Sequence, residues 1–288
     1  MAEPLQEIDA QDGPDDAQPV LAAPRARRAA GRKKRPLWIE LPILVIVAFT
    51  LTFLIQTFVA KVYYVPSGSM ENTIYGAPVG GDRILANKVV YDFRDPEPGD
   101  VVVFKGPDSW APEVGVSPPS GFFGKAMAAL GSVVGVAPPD EKDFVKRVIA
   151  VGGQTVQCCD ATGNVEVDGR SLSEPYIYSA DPGNSPLLFV PGVKDCVTGG
   201  SATTYGSRRC FGPVTIPAGQ IWVMGDHRDD SDDSSYNCLG LKPSAATANC
   251  GRPIPVDNVI GKAVIKLLPL SHLGTIGNPD IDPTARHP

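Results

Sequence analysis

From Leu41 to Ala60 the chain reads LPILVIVAFTLTFLIQTFVA, an uncharged run of about twenty residues, which is the length an α-helix needs to cross a bilayer. A soluble helix of that length keeps a charged face. Here only Thr50, Thr52, Gln56 and Thr57 interrupt the apolar side chains. A cleavable secretory leader has a shorter apolar core near the extreme N-terminus, so the run reads as an uncleaved anchor over residues 37–60. Arg25, Arg27, Arg28, Arg32, Lys33, Lys34 and Arg35 precede it, and only Lys61 closely follows. That asymmetry puts the N-terminus in the cytoplasm and residues 61–288 outside. A basic run can also bind nucleic acid, but its position against an apolar span favours topology, and no nucleic-acid partner is expected. Residues 1–24 are acidic, rich in Pro and Ala and poor in large apolar groups. Such a stretch cannot repay the entropy of ordering, so residues 1–36 read as a disordered cytoplasmic tail ending in the basic run.

Beyond the anchor the pattern changes to short β-type runs punctuated by Gly and Pro, the pattern of an all-β domain. The strand candidates are Arg83–Tyr91, Val101–Lys105, Phe144–Val151, Thr155–Cys158, Val165–Val167, Gln220–Met224 and Val259–Leu268. Asn164 to Gly169 alternates and ends in Asp-Gly, which predicts a small hairpin. The expected fold is therefore mainly β, with a single N-terminal transmembrane helix, an all-β outer domain and a smaller inserted cap subdomain. Two stretches interrupt the strands and are read as insertions. Residues 106–142 contain the apolar piece GFFGKAMAALGSVVGV, which suits a short helix, a core segment or a membrane-skimming loop. Residues 160–217 are long and polar, and are assigned to the cap. All six cysteines, Cys158, Cys159, Cys196, Cys210, Cys238 and Cys250, lie on the outer side, where disulfides persist. Six cysteines allow fifteen pairings. Cys238 with Cys250 is favoured because the two flank a polar loop, and the spacing argues against zinc.

Two residues carry the chemistry. Ser69 lies on a turn-forming stretch, Tyr64-Val65-Pro66-Ser67-Gly68-Ser69-Met70, soon after the anchor, and Lys146 lies in Asp143-Phe144-Val145-Lys146-Arg147-Val148-Ile149. A serine hydroxyl is a poor nucleophile until a neighbouring base takes its proton. Histidine is the usual base, but of His227, His272 and His287 only His227, in an acidic loop, is a rival. A lysine serves when it is neutral, and burial favours the neutral form. The apolar flanks of Lys146 suit burial.

Pro66-Ser67-Gly68-Ser69-Met70, Gly81-Asp82-Arg83-Ile84-Leu85-Ala86-Asn87-Lys88, Lys146-Arg147 and the run Gly225 to Ser235 (GDHRDDSDDSS) follow one another in order. In these motifs the chain strongly resembles the bacterial type I signal peptidases, membrane-bound Ser/Lys proteases that remove secretory signal peptides. The resemblance extends from the apolar run almost to the C-terminus. It implies Ser69 as nucleophile and Lys146 as general base, with the Ser67 hydroxyl and the Ser69 backbone N–H forming the oxyanion hole. It implies Ser231 as the serine that orients the lysine, and a supporting loop of Asp226, Arg228 and Asp233 that buttresses Arg147 and the lysine strand. Asp233 is expected to meet Arg147 or Arg228. The family pattern ends in arginine where this chain has Ser235, so the ion pair of that arginine must be absent or rerouted. Secretory preproteins and the lipid bilayer are the implied partners, with the secretion translocon a candidate neighbour. The implied location is a bacterial plasma membrane. Small side chains of the A-x-A type should precede the scissile bond, in a pocket walled by Arg83–Tyr91 and Phe144–Val151.

Two other readings stay open on the residues alone. Asp226, Asp229, Asp232 and Asp233 invite a calcium site, although the spacing is not that of an EF-hand, and no metal or other cofactor is expected. A catalytically inert, anchored β-domain that binds cations or partners fits the anchor and cysteines but leaves Ser69 with Lys146 as an accident. A self-cleaving repressor-like protein shares the dyad but does not fit an anchor without a DNA-binding region.

Overall fold

A computed structural model describes residues 37–107, 110, 143–160, 163–178, 210–228, 230–242, 250–279 and 281. The apolar run forms helix α1, Leu37–Leu54, followed by a π-helical turn over Ile55–Val59. Trp38–Val59 is long and apolar enough to cross a membrane, and its large apolar side chains are exposed, as a lipid-facing helix requires. The helix runs without a loop into β1, Ala60–Tyr64. Lys88 clasps this joint from two sides: its backbone N–H donates to Val59 O at 2.9 Å, and its ammonium donates to Thr57 O.

The strands that follow are β2 (Arg83–Asn87), β3 (Val101–Lys105), β4 (Asp143–Val151), β5 (Thr155–Cys158), β6 (Val165–Val167), β7 (Arg170–Ser171), β8 (Phe211–Thr215), β9 (Gln220–Met224), β10 (Ile254–Pro255), β11 (Val259–Leu268) and β12 (Gly274–Thr275). Among the described residues they form two antiparallel sheets. The larger has the order β1-β2-β11-β3-β4-β9-β10, with β12 on β11, and the smaller has the order β7-β6-β5-β8. The fold is mainly β with one N-terminal apolar helix, as the sequence predicts.

Most strand boundaries coincide with those read from the sequence. β2 is shorter than expected because Asn87 Oδ1 accepts the Val89 N–H at 3.0 Å, a side-chain bond that competes with strand pairing and starts a 3-10 turn over Val89–Asp92. The hairpin between β6 and β7 turns on Asp168 (φ 50°) and Gly169 (φ 74°), two successive left-handed residues of the type Asp-Gly supplies. Of the stretch read as a cap, residues 163–175 and 211–215 contribute β6, β7 and β8 to the smaller sheet. The sheets share a core in which Val156, Val165, Val167 and Phe211 pack with Ile149, Trp222 and Met224. The tail 1–36, the apolar piece within 106–142, and residues 179–209 lie outside the described residues.

Disulfide chemistry follows the compartment argument. Cys238–Cys250 is formed, with Cα atoms 5.0 Å apart. Cys158 is bonded to its neighbour Cys159, and Cys210 is disulfide-bonded too.

Candidate active site

Ser69 is carried on a single 3-10 turn, Gly68–Met70, entered from an extended Ser67 (φ −119°, ψ 151°). The residues after it fix the turn: Met70 and Ile74 are fully buried and pack with Tyr63, Val65, Ile84 and Val101. Gly76 lies so close to Ser67 that a Cβ there would overlap the Ser67 carbonyl. Only glycine permits that approach.

Lys146 comes from β4, two residues after Phe144 and two before Val148. The alternation of a strand points all three to one face. There Phe144 and Val148 join Val102, Phe104, Trp110 and Val223 in an apolar cluster. Lys146 is fully buried and Ser69 is 3% exposed. The Lys146 ammonium nitrogen donates to Ser69 Oγ at 2.6 Å. Ser67 Oγ is 3.2 Å from the same oxygen, so two hydroxyls and one amine converge at one buried point.

The loop after β9, residues 225–235, wraps this point. The His227 N–H donates to Ser69 O at 3.0 Å, and a Cβ on Gly225 would run into that carbonyl and into Ser231 Oγ. The loop is thus packed backbone to backbone on the serine turn. Ser231 is 9% exposed, and its buried Oγ has no hydrogen-bond partner among the described residues. It does not make the lysine bond that the resemblance implies, and its hydroxyl lies close to Gly225. His227 reaches Ser69 through its backbone. Its ring faces Tyr178 at 4.2 Å, and its Nδ1 has no hydrogen-bond partner among the described residues.

The expected supporting loop is present with different pairings. Arg147, 1% exposed, forks onto Asp226, with Nε–Oδ1 2.9 Å and Nη2–Oδ2 2.7 Å. Its Nη1 donates to Gly99 O at 2.8 Å, and the guanidinium lies over the Tyr176 ring at 4.1 Å. Thr73, from the serine segment, donates to Asp226 Oδ2. Arg228 pairs with Glu174 and donates to Gly225 O at 3.1 Å. Burial opposes the Arg228 charge, yet Glu174 and its neighbours outweigh that and hold the group protonated well above its ordinary range. The expectation that Asp233 meets Arg147 or Arg228 is corrected: its Oδ2 accepts the Gly225 N–H at 3.1 Å, and its Oδ1 accepts both the N–H (2.9 Å) and the hydroxyl (2.7 Å) of Ser235. Ser235 thus supplies two of the donors to this carboxylate. Asp232 pairs with Arg252. Of the carboxylates read as a calcium cluster, Asp226, Asp232 and Asp233 are engaged by donors of the chain itself, Asp229 lies outside the described residues, and no metal-type cluster of His, Cys, Asp and Glu occurs among the described residues.

Thr73, Glu174, Gly225 and Arg252 were missed by the sequence reading. Gly225 was within reach, since it opens the acidic motif. Thr73 lies just past the serine motif, whereas Glu174 and Arg252 lie farther along the chain, and no spacing marks any of the three.

The family model described as signal peptidase, peptidase S26, matches residues 38–268. A probable signal peptidase I of Mycobacterium leprae is 43% identical over 252 residues, covering 86% of this chain and 81% of that protein. A signal peptidase I of Mycobacterium tuberculosis is 40% identical over 275 residues, covering 91% and 86%. A probable signal peptidase I-1 of Synechocystis is 31% identical over 235 residues, covering 82% and 85%.

Proposed function

The chain belongs to the signal peptidase family, peptidase S26, and from that premise we propose that it is a membrane-anchored endopeptidase that cleaves signal peptides from secreted preproteins with a Ser69/Lys146 dyad. The observation that carries this reading is the 2.6 Å bond between a buried lysine and a buried serine, on two segments that are far apart in the chain.

Neutral Lys146 takes the Ser69 proton as Oγ attacks the scissile carbonyl. The tetrahedral oxyanion is met by the Ser69 N–H and the Ser67 hydroxyl, donors set in advance of the charge they stabilise. Protonated Lys146 then gives its proton to the leaving amine as the C–N bond breaks. Water, deprotonated by Lys146, attacks the resulting ester and restores Ser69. In this scheme a turn of the Ser231 side chain away from Gly225 would let its hydroxyl steady the lysine. Arg147, Asp226, Arg228 and Asp233 hold the strand and loop that frame the pair.

Substrate is read as an extended peptide. Residues 143–146 of β4 pair with β3 on one side, while pairing with β9 begins only at Arg147. The stretch of β4 that leads to Lys146 therefore has described pairing on its β3 side, and its other side is suited to main-chain pairing with an extended peptide. Shallow apolar walls from β2 and β4 would accept small side chains one and three residues before the scissile bond. The apolar helix fits an anchor in a bacterial plasma membrane, with the N-terminus cytoplasmic by the positive-inside argument. Lipid, and the secretion translocon beside it, are the expected neighbours.

The test uses detergent-solubilised full-length protein and a peptide with an A-x-A site. Wild type should cut it after the second alanine. Ser69→Ala and Lys146→Arg should be inactive with unchanged near-UV circular dichroism, since arginine stays protonated and cannot act as base. His227→Ala should retain most activity. Turnover by Lys146→Arg would remove lysine from the base role, and equal cutting of peptides with Leu or Phe at both small positions would remove the pocket reading.

A further inference from the structure

We infer that Arg252 is a positioning residue for the catalytic loop, delivering from outside the motif the guanidinium that position 235 lacks. The inference rests on the Ser69/Lys146 reading above. It starts from how the far limb of the loop, residues 231–235, is held. Ser234 clasps β9, donating its N–H to Val223 O at 3.1 Å and accepting the Val223 N–H on its hydroxyl at 3.0 Å. Arg252 is a further restraint. Its backbone N–H donates to Ser234 O at 3.0 Å, and its Nη2 donates to Asp233 O at 2.8 Å while pairing with the Asp232 carboxylate. One side chain thus holds two consecutive residues of the limb that bears Ser231.

The guanidinium is itself fixed. It lies near the rings of Trp110 and Tyr236, at 4.8 and 5.2 Å from their centroids, a stacking that lysine's compact ammonium does not reproduce. Trp110 in turn meets Phe144 edge-on at 5.2 Å, and Phe144 lies two residues before Lys146. Arg252 therefore touches the loop directly and the lysine strand through one aromatic ring. Its backbone is tied at both ends: Cys250, two residues before, is bonded to Cys238, and Ile254, two residues after, pairs with Ile221 of β9.

The departure at Ser235 fits this arrangement. Asp233 accepts from Ser235 and Gly225, and the guanidinium reaches the neighbouring Asp232 carboxylate and the Asp233 carbonyl from another segment. Because Arg252 holds the loop directly and reaches the β4 stretch read as the peptide edge only at Phe144, through Trp110, its loss should lower turnover and leave substrate affinity nearly unchanged.

The test measures kcat and KM on the A-x-A peptide for full-length wild type, Arg252→Ala and Arg252→Lys, with near-UV circular dichroism to score folding. Arg252→Ala, folded, should lose on the order of 10- to 100-fold in kcat, the scale of a small misplacement of a catalytic group, with KM unchanged. Arg252→Lys should recover part of the loss, keeping the charge without the planar group that lies against the two rings. Arg252→Ala that folds and turns over at the wild-type rate, or that raises KM with kcat intact, overturns the inference. Should Arg252→Ala not fold, Arg252→Lys decides alone: a wild-type kcat overturns the inference and a reduced kcat at unchanged KM supports it. Ser69→Ala runs alongside, because cleavage by that variant would sink the dyad reading and not the role of Arg252.

Discussion

Arg147→Ala should be the most damaging substitution outside the dyad. It would leave the buried Asp226 carboxylate with only the Thr73 hydroxyl as a side-chain partner among the described residues, after a two-point ion pair in which the side chains are 1% and 0% exposed. Breaking such a pair from one side costs about 3–5 kcal/mol, and urea unfolding should show it as a lowered midpoint. A second prediction concerns two phenols. Burial, and then Asp100, push the Tyr91 hydroxyl above its ordinary range; burial, and then Glu174, do the same for Tyr176. Both stay protonated in the fold where an unfolded tyrosine ionises, so the native state binds more protons above about pH 10 and stability falls there as pH rises. Below that value the contribution is complete. Urea midpoints at stepped alkaline pH should decline, and Tyr91→Phe with Tyr176→Phe should flatten the decline. At this scale the sequence was legible wherever chemistry repeats a local pattern: Ser69, Lys146, Ser67 and the acidic loop sit in short motifs. Glu174 and Arg252 were not legible, because an ion pair closed by the fold imposes no spacing on its partners. The unpaired Ser231 hydroxyl belongs to the same class, since a rotamer is decided by packing in the fold.

Among the elements, β8 shows where pattern reading fails. Phe211-Gly212-Pro213-Val214-Thr215 carries two residues that oppose strands, and it was absorbed into a polar insertion. Among the described residues it pairs only with β5, and an edge strand tolerates proline because one row of its backbone groups needs no ladder partner. β1 was hidden for another reason: Ala60 to Tyr64 continues an apolar run, and periodicity cannot say where a helix hands over to a strand. The central strands were legible because both faces or alternate positions are buried, as in Val101 to Phe104, all at most 1% exposed. The prediction at this scale concerns the Cys238–Cys250 bond, which closes a sequence separation of 12. Replacing both cysteines by serine should cost about 2–3 kcal/mol by the loop-entropy argument, read by urea unfolding. It should also lower kcat in the manner of Arg252→Ala, because the segment that aims Arg252 loses one of its two ties.

For the whole molecule, the joint that matters lies between Val59 and Ala60, where no loop separates the helical turn from the sheet. The π turn runs into β1, Lys88 clasps Val59 and Thr57, and β1 is locked to β2 from Ala60↔Asn87 to Tyr64↔Arg83. Ser69 follows only nine residues after Ala60. With the helix anchored as proposed, that stiffness would make the enzyme a ruler. The nucleophile would ride at one altitude above the lipid, and a preprotein would be cut where its own extended segment reaches that altitude, before any side chain is inspected. Inserting a short Gly-Ser stretch between Val59 and Ala60 should slacken the ruler. Cleavage of a free peptide in detergent should stay near the wild-type rate, while a preprotein embedded in vesicles should be cut at a wider spread of positions, read by mass spectrometry of the products. A single sharp product from the embedded substrate would mean that the pocket alone chooses the site.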